Sequence, residues 1–195
     1  LNANEEDGSF YWLDKYVNHG RVIDSPVGIS GLVMGDIHHE KLNPTVEDLT
    51  FWGPESVVHQ LNPERLFFHD LIDFTSRNHH NRKDPEHQVY YSEQLVAEEV
   101  KNAGLFLQDA AGQIPEVVVV PSNHHEAFRK WVHETDWRED VRNFDIYLAA
   151  ARAMMNHAKT FGPSRRLDLL EWAIHDYCNI QMPPGVRFLE EDERY

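Results

Sequence analysis

The sequence has little of several features that would each place it in a particular class of protein. Cysteine occurs once, as Cys178, which excludes an internal disulfide framework and a zinc site built on several thiolates. No apolar run approaches the roughly 20 residues that a membrane-spanning helix needs. The first residues, LNANEEDGSF, lack the basic and apolar regions of a signal peptide. We therefore predict a soluble protein of a reducing cytoplasm, with no membrane partner.

Positive charge is also scarce. The chain carries 18 Lys and Arg against 33 Asp and Glu, a formal net charge of −15. This balance argues against a protein that covers nucleic-acid phosphates with basic side chains. It does not exclude a nuclease, because bound divalent cations can supply positive charge where the phosphate sits. Histidine, by contrast, occurs 13 times, and hydrophobic residues make up 41% of the chain, enough for a buried core.

The order of the apolar patterns predicts an α/β fold with a largely parallel sheet flanked by helices. Short apolar runs bounded by turn residues predict strands at 29–35, 65–70, 116–120 and 186–189. Helical patterns are predicted at 11–20, 43–65, 91–110, 125–134, 138–159 and 164–178. The polar segment 74–88 contains no aliphatic residue and is predicted to be a loop. Residues 1–28 are interpreted as an N-terminal extension, followed by one domain at 29–195 with a helical segment at about 138–178.

Each of the first three predicted strands ends in a polar cluster. These clusters are GDIHH with Asp36 and His38, HDLID with Asp70 and Asp73, and SNHHE with Asn123 and His124. Each one alone has an ordinary explanation as a turn or a helix cap. The carboxyl ends of parallel strands meet at one edge of a sheet, however, so the three loops are expected to converge. Oxygen donors combined with imidazoles suit Mn²⁺, Fe or Zn²⁺.

As an ordered set, these motifs resemble those of the calcineurin-like metallophosphoesterases, over residues 29 to 127. That family shows Asp-x-His, Gly-Asp-x-x-Asp and Gly-Asn-His-Asp/Glu in the same order. The resemblance implies a layered, partly parallel metallophosphoesterase sheet and two divalent metals, with Mn²⁺ ranked first and Fe, Zn²⁺ or Mg²⁺ as alternatives. His69 and Ser122 stand where the family has glycine.

The resemblance also implies a role for each matched residue. Asp36 and His38 would bind the first metal, Asp70 would bridge both metals, and Asn123 would bind the second. His124 would face the phosphate as general acid or transition-state stabiliser. Asp73 would orient His124.

The family's later Gly-His-x-His motif is absent after Asn123. His133, His157 and His175 lie in helical patterns, where core or surface roles are the ordinary expectation. We therefore expect the chain to be a fragment, incomplete at its C-terminus, of a longer protein that carries the missing histidines.

The substrate is predicted from the loop that follows the second motif. Arg77, Arg82 and Lys83 form a local basic patch in an acidic chain, where a nucleic-acid backbone could pass; the alternative is an ordinary solvated loop. His125 is a further candidate for substrate contact. The sequence most resembles the SbcD-type DNA exonuclease branch and related phage-encoded nucleases, which implies DNA as a partner and a host cytoplasm as the location.

Two other functions remain open at this point. One is a small-molecule or cyclic-nucleotide phosphoesterase of the same family. The other is a catalytically inactive binding module, which a permanent absence of the later histidine motif would favour. A homo-oligomer is also compatible with the sequence.

Overall fold

The N-terminal region forms a small antiparallel sheet. The computed structural model describes the backbone of residues 2–3, 10–12, 15–18 and 21–23, and it describes residues 29–78, 84–91 and 93–190, with the exception of the Gln88 side chain. Four strands pair in sequence order: β1 (Asn2–Ala3), β2 (Phe10–Trp12), β3 (Lys15–Asn18) and β4 (Arg21–Ile23). The helix predicted over residues 11–20 is therefore wrong. Its aromatic and β-branched residues also favour strands, and here strand pairing prevails.

A second sheet is parallel throughout its four described strands, which confirms the predicted α/β class. Its strands are β5 (Leu32–Met34), β6 (Arg65–His69), β7 (Glu116–Val120) and β8 (Val186–Phe188), in that spatial order. The register aligns Met34 with Phe68 and Phe68 with Val119. The loops that follow β5, β6 and β7 consequently leave the sheet side by side at one edge.

Helices form the connections between these parallel strands. They are α1 (Pro44–Glu47), α2 (Val57–Leu61), α3 (Pro85–Tyr90), α4 (Val96–Ala111), α5 (Asn123–Glu134), α6 (Phe144–Phe161) and α7 (Leu169–Trp172). Short 3₁₀ turns span 39–41, 75–77, 137–139 and 141–143, and wider π turns span 48–52 and 173–177. In the part of the chain that the structure describes, no helix combines the length and the hydropathy needed to cross a membrane.

Three predicted boundaries are corrected by local chemistry. The helix predicted from Ser164 begins at Leu169, because Asp168 caps it by accepting a hydrogen bond from Glu171 N (2.9 Å). The helix predicted over 138–159 begins at Phe144, after two 3₁₀ turns. The segment 74–88 is not entirely a loop, since α3 begins at Pro85, whose fixed φ suits the first helical position.

The core lies between one face of the parallel sheet and helix α4. Phe68 is fully buried and its ring centroid is 5.4 Å from that of Phe106 on α4. Gly104 does not interrupt this helix. A Cβ atom at Gly104 would lie 2.9 Å from Ile180 and 3.1 Å from Ile174, so the absence of a side chain lets these residues pack closely on α4. Packing of this kind makes the parallel sheet a rigid support for the loops at its edge.

Candidate metal centre

The loops after β5 and β6 are bound to each other at the edge of the sheet. His38 N donates a hydrogen bond to Asp70 O (2.9 Å), and His39 N donates to Leu71 O (3.0 Å). Asp36, His38 and Asp70 all have left-handed backbone conformations, with φ of 52°, 41° and 53°. Residues other than glycine and asparagine rarely adopt this backbone conformation, and those that do are concentrated at functional sites.

Three side chains from the three predicted loops form one group of potential metal ligands. One donor atom each from His38, Asp70 and His124 lies within 4.8 Å of the others. The imidazole rings of His38 and His124 have centroids 4.5 Å apart. Asp70 is 4% exposed. The structure therefore brings together residues that lie far apart in the sequence, at the edge where the strand order predicts a site.

Three atoms of this group lack any hydrogen-bond partner among the described residues. They are His38 Nε2, Asp70 Oδ1 and His124 Nδ1, and all three are buried. A buried polar atom without a partner is costly, and native proteins usually satisfy it with water or an ion. Carboxylate oxygen and imidazole nitrogen are suitable ligands for Mn²⁺, Fe or Zn²⁺. The residues present thus fit a divalent cation.

Asp73 lies behind the two histidines and is held in place by several contacts. Its Oδ1 is 2.9 Å from His124 Nδ1 and 3.6 Å from His38 Nδ1. The closer pair is in contact but is not aligned for a regular hydrogen bond. Lys41 Nζ donates to Asp73 Oδ2 at 2.5 Å, and Asp73 N donates to Glu40 Oε1 at 2.7 Å. Burial opposes ionisation of Asp73, but the hydrogen bonds from Lys41 and other neighbours outweigh it and lower the pKa.

The two residues that depart from the family pattern have local roles. Ser122 Oγ accepts a hydrogen bond from His125 N (3.4 Å) and caps helix α5. His69 Nδ1 contacts Asp70 Oδ2 very closely. A capping hydroxyl and a neighbouring imidazole therefore occupy the places where the resembled family uses glycine.

The other predicted metal ligands lie at the same edge but outside the three-residue group. Asp36 is exposed, and binding a metal together with Asp70 would require its side chain to turn inward. Asn123 is the first residue of α5 and is also exposed. Their assignment as ligands stays a prediction.

The predicted substrate-binding residues are placed less favourably. Arg77 is only 12% exposed and its guanidinium forms a two-pronged ion pair with Asp140, so it has no free edge for a phosphate. Arg82 and Lys83 lie outside the described residues. His125 is 9% exposed, and burial lowers its pKa to about 4. A neutral His125 can still offer one ring N–H to a ligand.

Sequence reasoning missed the residues that support Asp73 and the basic side chains beside the centre. Glu40 and Lys41 directly follow the first motif, and their position in the loop was the available signal. Arg129, Arg165 and Arg166 line a cavity of about 740 Å³ that also includes His69. Arg165 and Arg166 lie in a segment that was assigned to a helix, so their position near the centre was not predictable from periodicity.

The turn after Asp73 contacts a buried carboxylic acid that sequence reasoning did not identify. Glu99, on α4, accepts a hydrogen bond from Ser76 N through Oε1 (3.1 Å). Burial raises the pKa of Glu99 to about 7, although the hydrogen bonds from Ser76 oppose this effect. Glu99 therefore joins helix α4 to the turn that carries Asp73.

Comparison with known proteins gives one informative relative. Protein A1 of Escherichia phage T5 is 30% identical to this chain over 158 residues, which cover 75% of this chain and 28% of the phage protein. The chain thus matches less than a third of that relative's length. No protein-family model and no solved structure matches the chain. The chain therefore has a phage-encoded relative, in agreement with the predicted phage connection.

Proposed function

We propose that this protein is a metal-dependent phosphodiester hydrolase that cleaves DNA by means of a two-metal centre. The observation that carries the proposal is the convergence of His38, Asp70 and His124 at the sheet edge, with unpartnered donor atoms on His38 and Asp70. The ordered resemblance to calcineurin-like metallophosphoesterases supports the same conclusion. Oxygen and imidazole donors without thiolate suit Mn²⁺, Fe or Zn²⁺, and the resemblance ranks Mn²⁺ first.

The proposed division of labour follows from the resemblance to the calcineurin-like metallophosphoesterases. Asp36, His38, Asp70 and Asn123 would hold the two cations. When bound, such cations supply an activated water molecule and a positive clamp on the phosphate. Asp70 is the most suitable bridging ligand, because it is buried and one of its carboxylate oxygens, Oδ1, has no hydrogen-bond partner among the described residues.

His124 and Asp73 would provide the proton transfer. The Asp73 carboxylate lies 2.9 Å from His124 Nδ1 and can accept that N–H. This contact would orient the ring, so that in its doubly protonated form Nε2 can give its proton to the leaving oxygen. Lys41 and Glu40 keep Asp73 in position through its side chain and its backbone N–H.

A small phosphoester is the second candidate substrate. The cavity of about 740 Å³ beside the centre is large enough for a nucleotide-sized molecule. The same metal chemistry would then act on a monoester or a cyclic nucleotide. The choice between the two candidates is therefore a matter of binding and not of the reacting groups.

The test compares hydrolysis of linear duplex DNA and of a phosphate monoester by the full-length protein with Mn²⁺. The variant Asp70→Asn keeps the shape of the side chain but removes its charge, and we expect it to lose most metal-dependent turnover. Asp109→Asn, an exposed carboxylate on α4, is the matched control and should behave like the wild type. Nearly normal turnover by Asp70→Asn would contradict the two-metal proposal. Monoester turnover without DNA cleavage would establish the second candidate.

A further inference from the structure

The cavity beside the metal centre has one wall formed by residues adjacent to the centre in the sequence. His69, Asn123 and His125 line it, and these residues are sequence neighbours of Asp70 and His124. The cavity lies along the carboxyl ends of β6, β7 and β8, because Phe188 to Glu190 also line it. A molecule in the cavity would therefore lie next to the proposed cleavage site.

The opposite wall carries three arginines, among the carboxylates of Glu126, Asp168, Glu171 and Glu190 that also line the cavity. Arg129, from α5, is 14% exposed, and its guanidinium donates a hydrogen bond to Leu167 O, which fixes the segment between α6 and α7. Arg165 and Arg166 belong to that segment, and their side chains are 59% and 57% exposed. One buried arginine thus positions the segment that presents two accessible arginines to the cavity.

The partners of these two arginines are exposed glutamates. Arg165 Nη2 lies 3.1 Å from Glu190 Oε1, and Arg166 Nη1 lies 3.6 Å from Glu126 Oε2. Exposed ion pairs of this kind contribute about 0–1 kcal/mol. A phosphate can form two parallel hydrogen bonds with one guanidinium, which is a stronger and more specific contact. Phosphate can therefore replace glutamate at little cost.

Two histidines in the same cavity have unused nitrogen atoms. His125 Nε2 and His157 Nε2 are buried and have no hydrogen-bond partner among the described residues. Asp168 also lines the cavity, but its carboxylate is engaged in capping α7. Because these two nitrogen atoms are themselves buried, the accessible groups in the cavity that suit a polar anion are the arginines with exchangeable partners.

We propose that Arg165 and Arg166 bind a backbone phosphate of DNA next to the phosphate that is cleaved, in exchange for Glu190 and Glu126. This inference rests on the proposed function and specifies how the DNA reaches the centre. It assigns DNA binding to the segment between α6 and α7 instead of the basic loop after Asp73. The two glutamates act as weak competitors that the DNA displaces.

The test measures binding separately from cleavage. A fluorescently labelled duplex oligonucleotide is titrated with the full-length protein in the absence of divalent metal, and anisotropy gives Kd. We expect Arg165→Gln/Arg166→Gln to raise Kd about tenfold or more. Because the contact to this one phosphate is lost, the slope of log Kd against log salt concentration should shrink by about 1. Arg138→Gln/Arg152→Gln removes the same charge from exposed positions that do not line the cavity, and it should leave Kd nearly unchanged.

A pair of substitutions with the opposite effect makes the test sharper. Glu126→Gln/Glu190→Gln should lower Kd, because the arginines lose their competitors. Equal loss of affinity in both arginine double variants would show a general charge effect and overturn the inference. So would an unchanged Kd in Arg165→Gln/Arg166→Gln, or no measurable binding by the wild type. A specific loss of binding, together with no DNA cleavage by the wild type with Mn²⁺, would support this site and contradict the proposed function.

Discussion

Glu99 allows a quantitative prediction about stability. Its side chain is 5% exposed, and Oε2 has no hydrogen-bond partner among the described residues. Burial raises its pKa from 4.5 to about 7. The folded protein therefore holds a proton on this carboxyl more tightly than the unfolded chain does. Replacing Glu99 with glutamine keeps the acceptor for Ser76 N and removes the ionisable group.

The sign of the effect follows from the raised pKa. The contribution of Glu99 to folding is fully present below pH 4.5, and it is lost as the pH rises through about 7. At about 1.36 kcal/mol for each pH unit between the two values, the loss amounts to about 3 kcal/mol. Glu99→Gln should thus gain up to about 3 kcal/mol of stability relative to the wild type between pH 4.5 and pH 8.

Urea denaturation at several pH values between 4.5 and 8 measures this difference. The free energy of unfolding of Glu99→Gln minus that of the wild type should rise across this range, with equal slopes against urea concentration. Glu98→Gln, an exposed neighbour on the same helix, is the control and should show little change with pH. A difference between Glu99→Gln and the wild type that stays constant with pH would refute the reasoning.

Three further predictions concern other parts of the molecule. Gly185→Ala would place a Cβ atom 2.3 Å from Pro115 O. We therefore expect the free energy of unfolding, measured by urea denaturation, to fall by about 1–3 kcal/mol. A urea midpoint equal to that of the wild type would contradict this. Asn143→Ala should cost about 1–3 kcal/mol, because Val96 N at the start of α4 donates to Asn143 Oδ1 (2.9 Å) and would remain buried without an acceptor; a neutral result would show that water replaces the amide. His124→Ala should slow DNA cleavage by roughly 10²–10⁴-fold with little loss of Mn²⁺ affinity in calorimetry; a large loss of affinity would identify His124 as a ligand.

The strands of the parallel sheet were predictable from the sequence because each is a short apolar run bounded by turn residues. The clearest case is β7, with four consecutive valines from Val117 to Val120. The parallel arrangement followed from the helical segments between strands, and it led to the convergence of His38, Asp70 and His124. Local pattern and fold topology were sufficient for this part of the site.

Other features depend on contacts between residues distant in the sequence. Arg77 was predicted to face a substrate, but Asp140 binds its guanidinium, and no local pattern signals a pair separated by 63 positions. The support of Asp73 by Lys41 and Glu40 has the same origin. The N-terminal strands were mistaken for a helix because a short aromatic segment has no decisive periodicity until its pairing partners are known.

The backbone of the centre has a consequence for how this protein would evolve. Four of the six non-glycine residues with positive φ in the described part of the chain are Asp36, His38, Asp70 and Phe74, all in the loops after β5 and β6. Each such residue costs of order 1 kcal/mol, which glycine or asparagine would largely avoid. A library of variants selected only for thermal resistance should therefore replace these positions early, and with them the proposed metal ligands. His38 and Asp70 would then be retained by selection for function, which opposes selection for a more stable fold.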